Sequence, residues 1–222
     1  MEQTPAHDFH NPDLLGAIPP HCVRVIEIGC STGALARELK KIRPACHYIG
    51  IDIDTAYVTA AKAYCDETAA IDIEECDERF FESHADRDCW IFGDVLEHMR
   101  DPWSVLKKIR RVIPENGCIV ACIPNAQHWS LQARLSIGDL RYEDSGLLDR
   151  THLRWFTAHT IHQMFADSGF RVAADRARVF NEPARDHFLP IIGEMAKACG
   201  GDPATAMQLA MPLQYVVTAV PA

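Results

Sequence analysis

The chain has 222 residues, 48% of them hydrophobic, which is enough for one α/β domain with a single core and room for a small elaboration. Its formal net charge of −9 argues against a general electrostatic grip on nucleic acid or an anionic membrane. No apolar run approaches the roughly 20 residues that span a bilayer, and residues 1–20 lack the basic start and apolar centre of a signal peptide, so the expected compartment is the cytoplasm.

Asn11 followed by Pro12 is a helix cap and a first-turn proline, and it introduces a short edge or lid-like helix over 13–17. A buried strand from Val25 then turns on Gly29 and Gly33 into a helix over 34–42, where Leu35, Leu39 and Ile42 recur at helical spacing. Such a turn is expected to leave backbone N–H groups and the positive end of a helix dipole facing open space, as a nucleotide or cofactor cradle does. The second apolar run, 46–53, ends in Asp52 and Asp54. Thr55 is read as the cap of the next helix, with Ala56, Ala60, Ala61 and Tyr64 forming a small-residue face. A short strand over 68–73 is closed by Asp72 and Glu74, and the acidic run 74–82 reads as a solvated turn or short helix. The fourth strand, 89–92, leads into Gly93, Asp94, Val95, Leu96, Glu97 and His98. Asp101 and Pro102 start a helix with Leu106, Ile109, Val112 and Ile113 on its apolar face, and Asn116-Gly117 turns the chain into a fifth strand over 118–123.

Beyond Gln127 the rhythm changes. A helix over 130–135 precedes a polar stretch, 138–155, that has little periodicity and is too long for a tight turn. Thr157 caps a helix over 158–168, Gly169 ends it, and 170–180 reads as a strand. Residues 182–212 are partly helical with a break at Gly200-Gly201, and 214–220 is the closing strand.

Strand and helix alternate five times through short connections, which predicts a mostly parallel sheet with helices on both faces. Ligands of such sheets belong at the strands' C-terminal ends, and that is where Gly29, Gly33, Asp52, Asp72, Asp94 and Asn125 fall. The nine cysteines contain no Cys-x-x-Cys pair and read as reduced core residues. The eleven histidines contain no His-x-x-x-His or His-Glu-x-x-His pattern, so no metal site is expected.

Two cofactor classes share a glycine turn after strand one and an acid after strand two: nicotinamide dinucleotides and S-adenosylmethionine. A dinucleotide calls for Gly-x-Gly-x-x-Gly, but the matching positions are Gly29, Ser31 and Ala34, two of which lack the glycine that a pyrophosphate needs.

The run Val25-Ile-Glu-Ile-Gly-Cys-Ser-Thr-Gly33 resembles motif I of class I S-adenosylmethionine-dependent methyltransferases. Ile49-Gly50-Ile51-Asp52, Asp72-Ile73, Gly93-Asp94-Val95-Leu96-Glu97-His98 and Asn116-Gly117 fit the same family in order, with serine at 31 where the family usually has glycine. The resemblance implies a Rossmann-like, seven-stranded sheet with an antiparallel last strand, forming one methyltransferase domain with a cofactor core over about 20–125 and acceptor or lid regions at 126–156 and 182–212. It further implies that Gly29 and Gly33 give the cofactor access to the backbone. Asp52, with Ile53 beside it, would serve the ribose, Asp72 and Ile73 the adenine, and Asp94 the methionine portion. Glu27, inside strand one, would either touch the ligand or hold the loop.

The run Gly146-Leu-Leu-Asp-Arg-Thr-His-Leu-Arg-Trp-Phe-Thr157, with Gln214-Tyr-Val-Val217, resembles a methyltransferase subgroup associated with glycosyltransferases and surface-polysaccharide assembly. This suggests a sugar or glycan acceptor, and the leading function is methyl transfer to a small-molecule or glycan acceptor with oxygen as the expected atom. A hydroxyl acceptor needs a proton acceptor or an orienting group, for which His98 and His152 are the candidates; the alternative for each is packing or loop support. Trp129, Arg150, Arg154 and Trp155 would either contact a polar acceptor or anchor the lid. Two rival functions are a cofactor-binding module without catalysis and a nicotinamide-dependent oxidoreductase.

Overall fold

A computed structural model describes residues 8–222; the chain start used in the signal-peptide argument lies, through residue 7, outside the described residues. The parallel part of the sheet is built from β1 (Arg24–Ile28), β2 (His47–Asp52), β3 (Glu67–Ala70), β4 (Cys89–Gly93) and β5 (Cys118–Pro124). Two later strands, β6 (Phe170–Arg178) and β7 (Gln214–Pro221), complete it in the order β3-β2-β1-β4-β5-β7-β6. Strand β7 runs antiparallel to both neighbours, so it alone reverses the direction of the sheet.

The inner strands β1, β2, β4, β5 and β7 are mostly buried, whereas the edge strands β3 and β6 are largely exposed or half-exposed, and the inner side chains alternate between two cores as a two-residue period requires. Ile26, Ile28, Trp90, Phe92, Ile119 and Ile123 point to the larger core. There they meet Phe81 of α4 (Glu78–Ser83), Leu106 and Ile109 of α5 (Pro102–Val112), and Ile161 and Phe165 of α7 (Ala158–Asp167). Val25, Tyr48, Ile91 and Val120 point the other way, against Leu14 of α1 (Pro12–Ala17) and Leu35 and Leu39 of α2 (Ala34–Ile42). The other helices are α3 (Thr55–Ala61), α6 (Trp129–Ser136), α8 (Arg185–Ala198) and α9 (Pro203–Leu209). Among the described residues no helix is long and apolar enough to cross a membrane.

Several local expectations need correction. The cap of α3 is Asp54, whose Oδ1 accepts from the N–H groups of Ala56 and Tyr57; Thr55 is the first helical residue. Its expected small-residue face does not form, because Ala56, Ala60 and Tyr64 are exposed and only Ala61 of that set is buried. Ile42 is 63% exposed, so α2 presents Leu35 and Leu39 together with Ala34 and Ala36. The third strand ends at Ala70, since Asp72 diverts the chain by capping a 3-10 turn at Ile73–Glu75. Eight cysteines are buried or half-buried as free thiols, but Cys199, past the end of α8, is exposed. The polar stretch beyond α6 splits in two. Residues 140–146 are exposed, whereas Leu148, Asp149 and Phe156 are buried.

Candidate active site

Sheet order reverses between β1 and β4, and a crevice must open there because the connections leave the two strands in opposite directions. A cavity of about 530 Å³ occupies this position, lined among others by Gly29, Asp52, Asp94, Glu97, His98 and His152. Its volume is in the range of ordinary small-molecule sites.

The turn after β1 forms the cavity floor. Gly29, Ser31 and Gly33 all take left-handed φ values, of 74°, 46° and 80°. At position 31 that conformation explains why glycine would be the easier residue, and serine carries the strain here. A Cβ at Gly29 would lie 2.4 Å from Cγ2 of Val95, so that glycine is required by packing as well as by φ. Gly33 is not among the cavity-lining residues. It packs instead on α3, where a Cβ would come within 3.1 Å of the Ala61 Cα.

The turn's donors are also used differently from the expectation. The N–H groups of Gly29 and Cys30 donate to the Ile51 carbonyl at 2.8 and 2.9 Å, that of Gly33 to Cys30 at 2.9 Å, and that of Ser31 to Asp52 Oδ2 at 2.8 Å. These four donors are engaged within the protein, so the floor is poorly equipped to hold a pyrophosphate. The Asp52 carboxylate beside the turn suits a cationic or hydroxyl-bearing ligand instead.

The acids at the strand ends reach the cavity by separate local devices. Asp52 is 6% exposed and also accepts from Asp54 N–H at 3.0 Å. Asp72 Oδ1 accepts from Glu74 N–H, and Arg100 lies 3.5 Å from its other oxygen. Asp94 has a left-handed φ of 56° and accepts from the Gln214 amide. Gln214 opens β7 opposite Pro124, which is how the last strand delivers a group to the β4 exit. Ile53 and the buried Ile73 supply apolar lining next to Asp52 and Asp72. Glu27 faces the cavity from inside β1; Tyr48 donates to its Oε2 at 2.8 Å, and burial pushes its carboxyl up to about 8. Asn125 does not line the cavity. Its Nδ2 donates to the Leu209 and Pro212 carbonyls and ties the end of α9 to β5.

His98 lies in a 3-10 turn, Leu96–His98, and His152 in the buried half of the polar stretch. The structure brings them together, with ring centroids 4.7 Å apart and edge to face. His98 Nδ1 lies 3.2 Å from the Thr151 carbonyl, and His152 Nδ1 lies 3.3 Å from that of Leu147. Burial lowers the pKa of both, holding the imidazoles in their neutral form. Beside them stands Glu97, 1% exposed, whose side-chain oxygens receive no hydrogen bond from another residue. Burial, reinforced by the Asp94 and Asp149 carboxylates, raises its pKa well above the usual range. The sequence reading gave Glu97 no role; its signal was an acid next to a histidine directly after a buried strand. Of the other candidates, Trp129 donates to Glu182 and stacks on Phe188, Arg150 pairs with Asp144, and Arg154 donates to the Arg100 carbonyl. The Trp129 and Arg154 contacts tie the cover to the rest of the protein, whereas the Arg150–Asp144 pair lies within the cover. Trp155 stands edge-on to His152, outside the lining.

A family model described as a methyltransferase domain matches residues 6–174. A Mycobacterium tuberculosis protein of uncharacterised function is 29% identical over 100 residues, and the chain spans only 32% of that curated relative's length. Among solved structures, an S-adenosylmethionine-dependent methyltransferase of Mesorhizobium loti matches with a TM-score of 0.61 at 15% identity, over 94% of this chain and 96% of that one. The magnesium protoporphyrin IX methyltransferase of Synechocystis, with bound S-adenosylhomocysteine, matches with a TM-score of 0.58 at 15% identity, over 93% and 77%. An O-methyltransferase of neocarzinostatin biosynthesis, solved with S-adenosylhomocysteine and 1,4-dihydroxy-2-naphthoic acid, reaches 0.54 at 11% identity, over 90% and 50%. At such identities the structural likeness speaks for the fold, and the family match for the kind of protein. With the glycine turn, the strand-end acids and the cavity at the switch point, these findings place the chain in the methyltransferase domain family.

Proposed function

We propose that the enzyme methylates a hydroxyl oxygen of a small-molecule or glycan acceptor, with the His98–His152 pair acting on that oxygen. The observation that carries this reading is that both imidazoles line the same cavity as the glycine turn and Asp52. Bound S-adenosylmethionine supplies an electrophilic methyl group on a sulfonium. The protein's task is then to align the acceptor in line with that group and to exclude water. Asp52 would accept from the ribose hydroxyls, Asp72 and Ile73 would hold the adenine, and Asp94 and Glu27 would face the cationic methionine end. His98 and His152 would position the acceptor oxygen, under the cover formed by the stretch that carries His152.

Oxygen is favoured by the histidine pair, since a hydroxyl is a poor nucleophile until its proton is engaged. The O-methyltransferase among the similar structures points the same way. The glycan alternative draws its support from the resemblance of residues 146–157 and 214–217 to the polysaccharide-associated subgroup. The family match sets the nicotinamide reading aside.

Calorimetry tests the cofactor assignment: S-adenosylhomocysteine should bind and NADH should not. The reverse result would overturn the reading. A screen of sugar and hydroxyaromatic acceptors with methyl-labelled cofactor then tests the acceptor, where label transferred only to amines would sink the oxygen assignment.

A further inference from the structure

Glu97 raises a question that methyl transfer alone does not answer. A carboxylate 1% exposed and receiving no hydrogen bond from another residue is costly, and native interiors seldom keep one without a use. One ligand-capable atom from each of Glu97, His98 and His152 lies within 4.8 Å of the other two. The three residues line one cavity, so the cluster is accessible from solvent.

The surroundings of the imidazoles are those of metal ligands. Each engages a backbone carbonyl through Nδ1, His98 that of Thr151 and His152 that of Leu147, which leaves the Nε2 lone pair for a ligand. Thr151 is itself fixed, since its hydroxyl and its N–H both donate to Asp149 Oδ1, at 2.6 and 2.8 Å. The N–H groups of Leu153 and Arg154 donate to the Glu97 carbonyl at 2.8 and 2.9 Å. These bonds clamp the irregular segment that carries His152 onto the turn that carries Glu97 and His98. The cluster therefore has a second layer that orients its members.

We propose that Glu97, His98 and His152 bind one divalent transition-metal cation, with Zn2+ the best match, leaving an open coordination position toward the acceptor. Two imidazole nitrogens and one carboxylate form the donor set of open zinc sites, whereas Mg2+ and Ca2+ favour all-oxygen surroundings. Bonds of about 2.1 Å put neighbouring tetrahedral ligands about 3.4 Å apart, so atoms that lie within 4.8 Å of one another need to close by at most about 1.4 Å on loading. The role of the open position rests on the hydroxyl-acceptor reading above. The acceptor oxygen becomes a further ligand and releases its proton to water; the oxygen–carbon bond forms as the carbon–sulfur bond breaks, its electron pair remaining on sulfur.

The test uses the full chain, stripped with a chelator and titrated with Zn2+ by calorimetry and with Co2+ by visible absorption, each with and without S-adenosylhomocysteine. The expected result is one cation per chain, with affinity lowered 100-fold or more in Glu97→Gln and His152→Ala. S-adenosylhomocysteine affinity should stay within threefold of the parent in both variants, which reports that they are folded. His162→Ala, at an exposed pair with Asp175, should bind metal like the parent. A parent that takes up neither cation, or Glu97→Gln and His152→Ala variants that bind as the parent does, would overturn the site. Metal uptake lost in those variants, in a protein that fails to bind S-adenosylhomocysteine, would support the metal site and overturn only the cofactor reading.

Discussion

Asp52 is bonded to its own protein before any ligand arrives, accepting from Ser31 N–H on one oxygen and Asp54 N–H on the other. Asp52→Ala should therefore act twice. Cofactor affinity should fall by about 1.5–3 kcal/mol for the lost charged acceptor, and stability by about 1–3 kcal/mol for donors left without a partner. Calorimetry with S-adenosylhomocysteine and a denaturant midpoint measure the two separately; an unchanged affinity would remove Asp52 from the ribose. Glu27 makes a pH prediction. Its folded pKa of about 8 lies above the ordinary 4.5 because burial penalises the charge, with Asp52 adding to the effect and the Tyr48 hydroxyl opposing it. A raised folded pKa means that the folded state holds the proton longer than the unfolded state. The contribution is fully present below about 4.5 and is lost as pH rises through about 8. Over that window stability should fall by up to about 1.4 kcal/mol per pH unit from this group, and Glu27→Gln should flatten the slope. Denaturant midpoints of both proteins across the window check this, and parallel curves would show that Glu27 does not titrate there.

Elements with local start signals were legible in the sequence. Asn11-Pro12, Asp101-Pro102 and Thr157 begin α1, α5 and α7 as expected, because a cap is a bond between a side chain and N–H groups two or three residues away. Where two capping residues adjoin, at Asp54 and Thr55, local chemistry does not choose between them. The helix started one residue earlier, on the carboxylate. The role of Gly33 was beyond reach for a different reason: its neighbour Ala61 is on another helix, and only their packing shows that the glycine serves helix contact. Gly33→Ala should consequently cost about 1–2 kcal/mol of stability for left-handed backbone, or more with the Ala61 contact. The affinity of the folded protein for S-adenosylhomocysteine should change less than about threefold, or about 0.65 kcal/mol, roughly half of what a tenfold change requires. A variant that folds as stably as the parent but loses cofactor would return Gly33 to the binding site. The meeting of Glu97 with His152, itself a sequence candidate, was hidden in the same way. Their meeting depends on residues 149–154 docking on the turn after β4, a contact between distant parts of the chain with no trace in hydrophobic period.

At the scale of the whole molecule, alternation of strands and helices was sufficient to give a parallel sheet and to point to its C-terminal edge, where the cavity opens. It did not give the strand order, since apolar strands are alike in composition and only packing decides which lie side by side. The order has a consequence in time. Strands β1 to β5 are contiguous in the sheet, so this part of it can assemble as soon as residue 124 has left the ribosome. Strand β6 cannot join it. The place beside β5 belongs to β7, which is made after β6 and after two further helices, and β6 pairs on β7. Until Gln214–Pro221 emerges, the apolar edge of β5 and the whole of β6 stand open, and closing them requires a long-range insertion of a strand between two already made. Synthesis thus passes through a stage with exposed strand edges, the form most prone to pair with another nascent chain, until β7 arrives to close them.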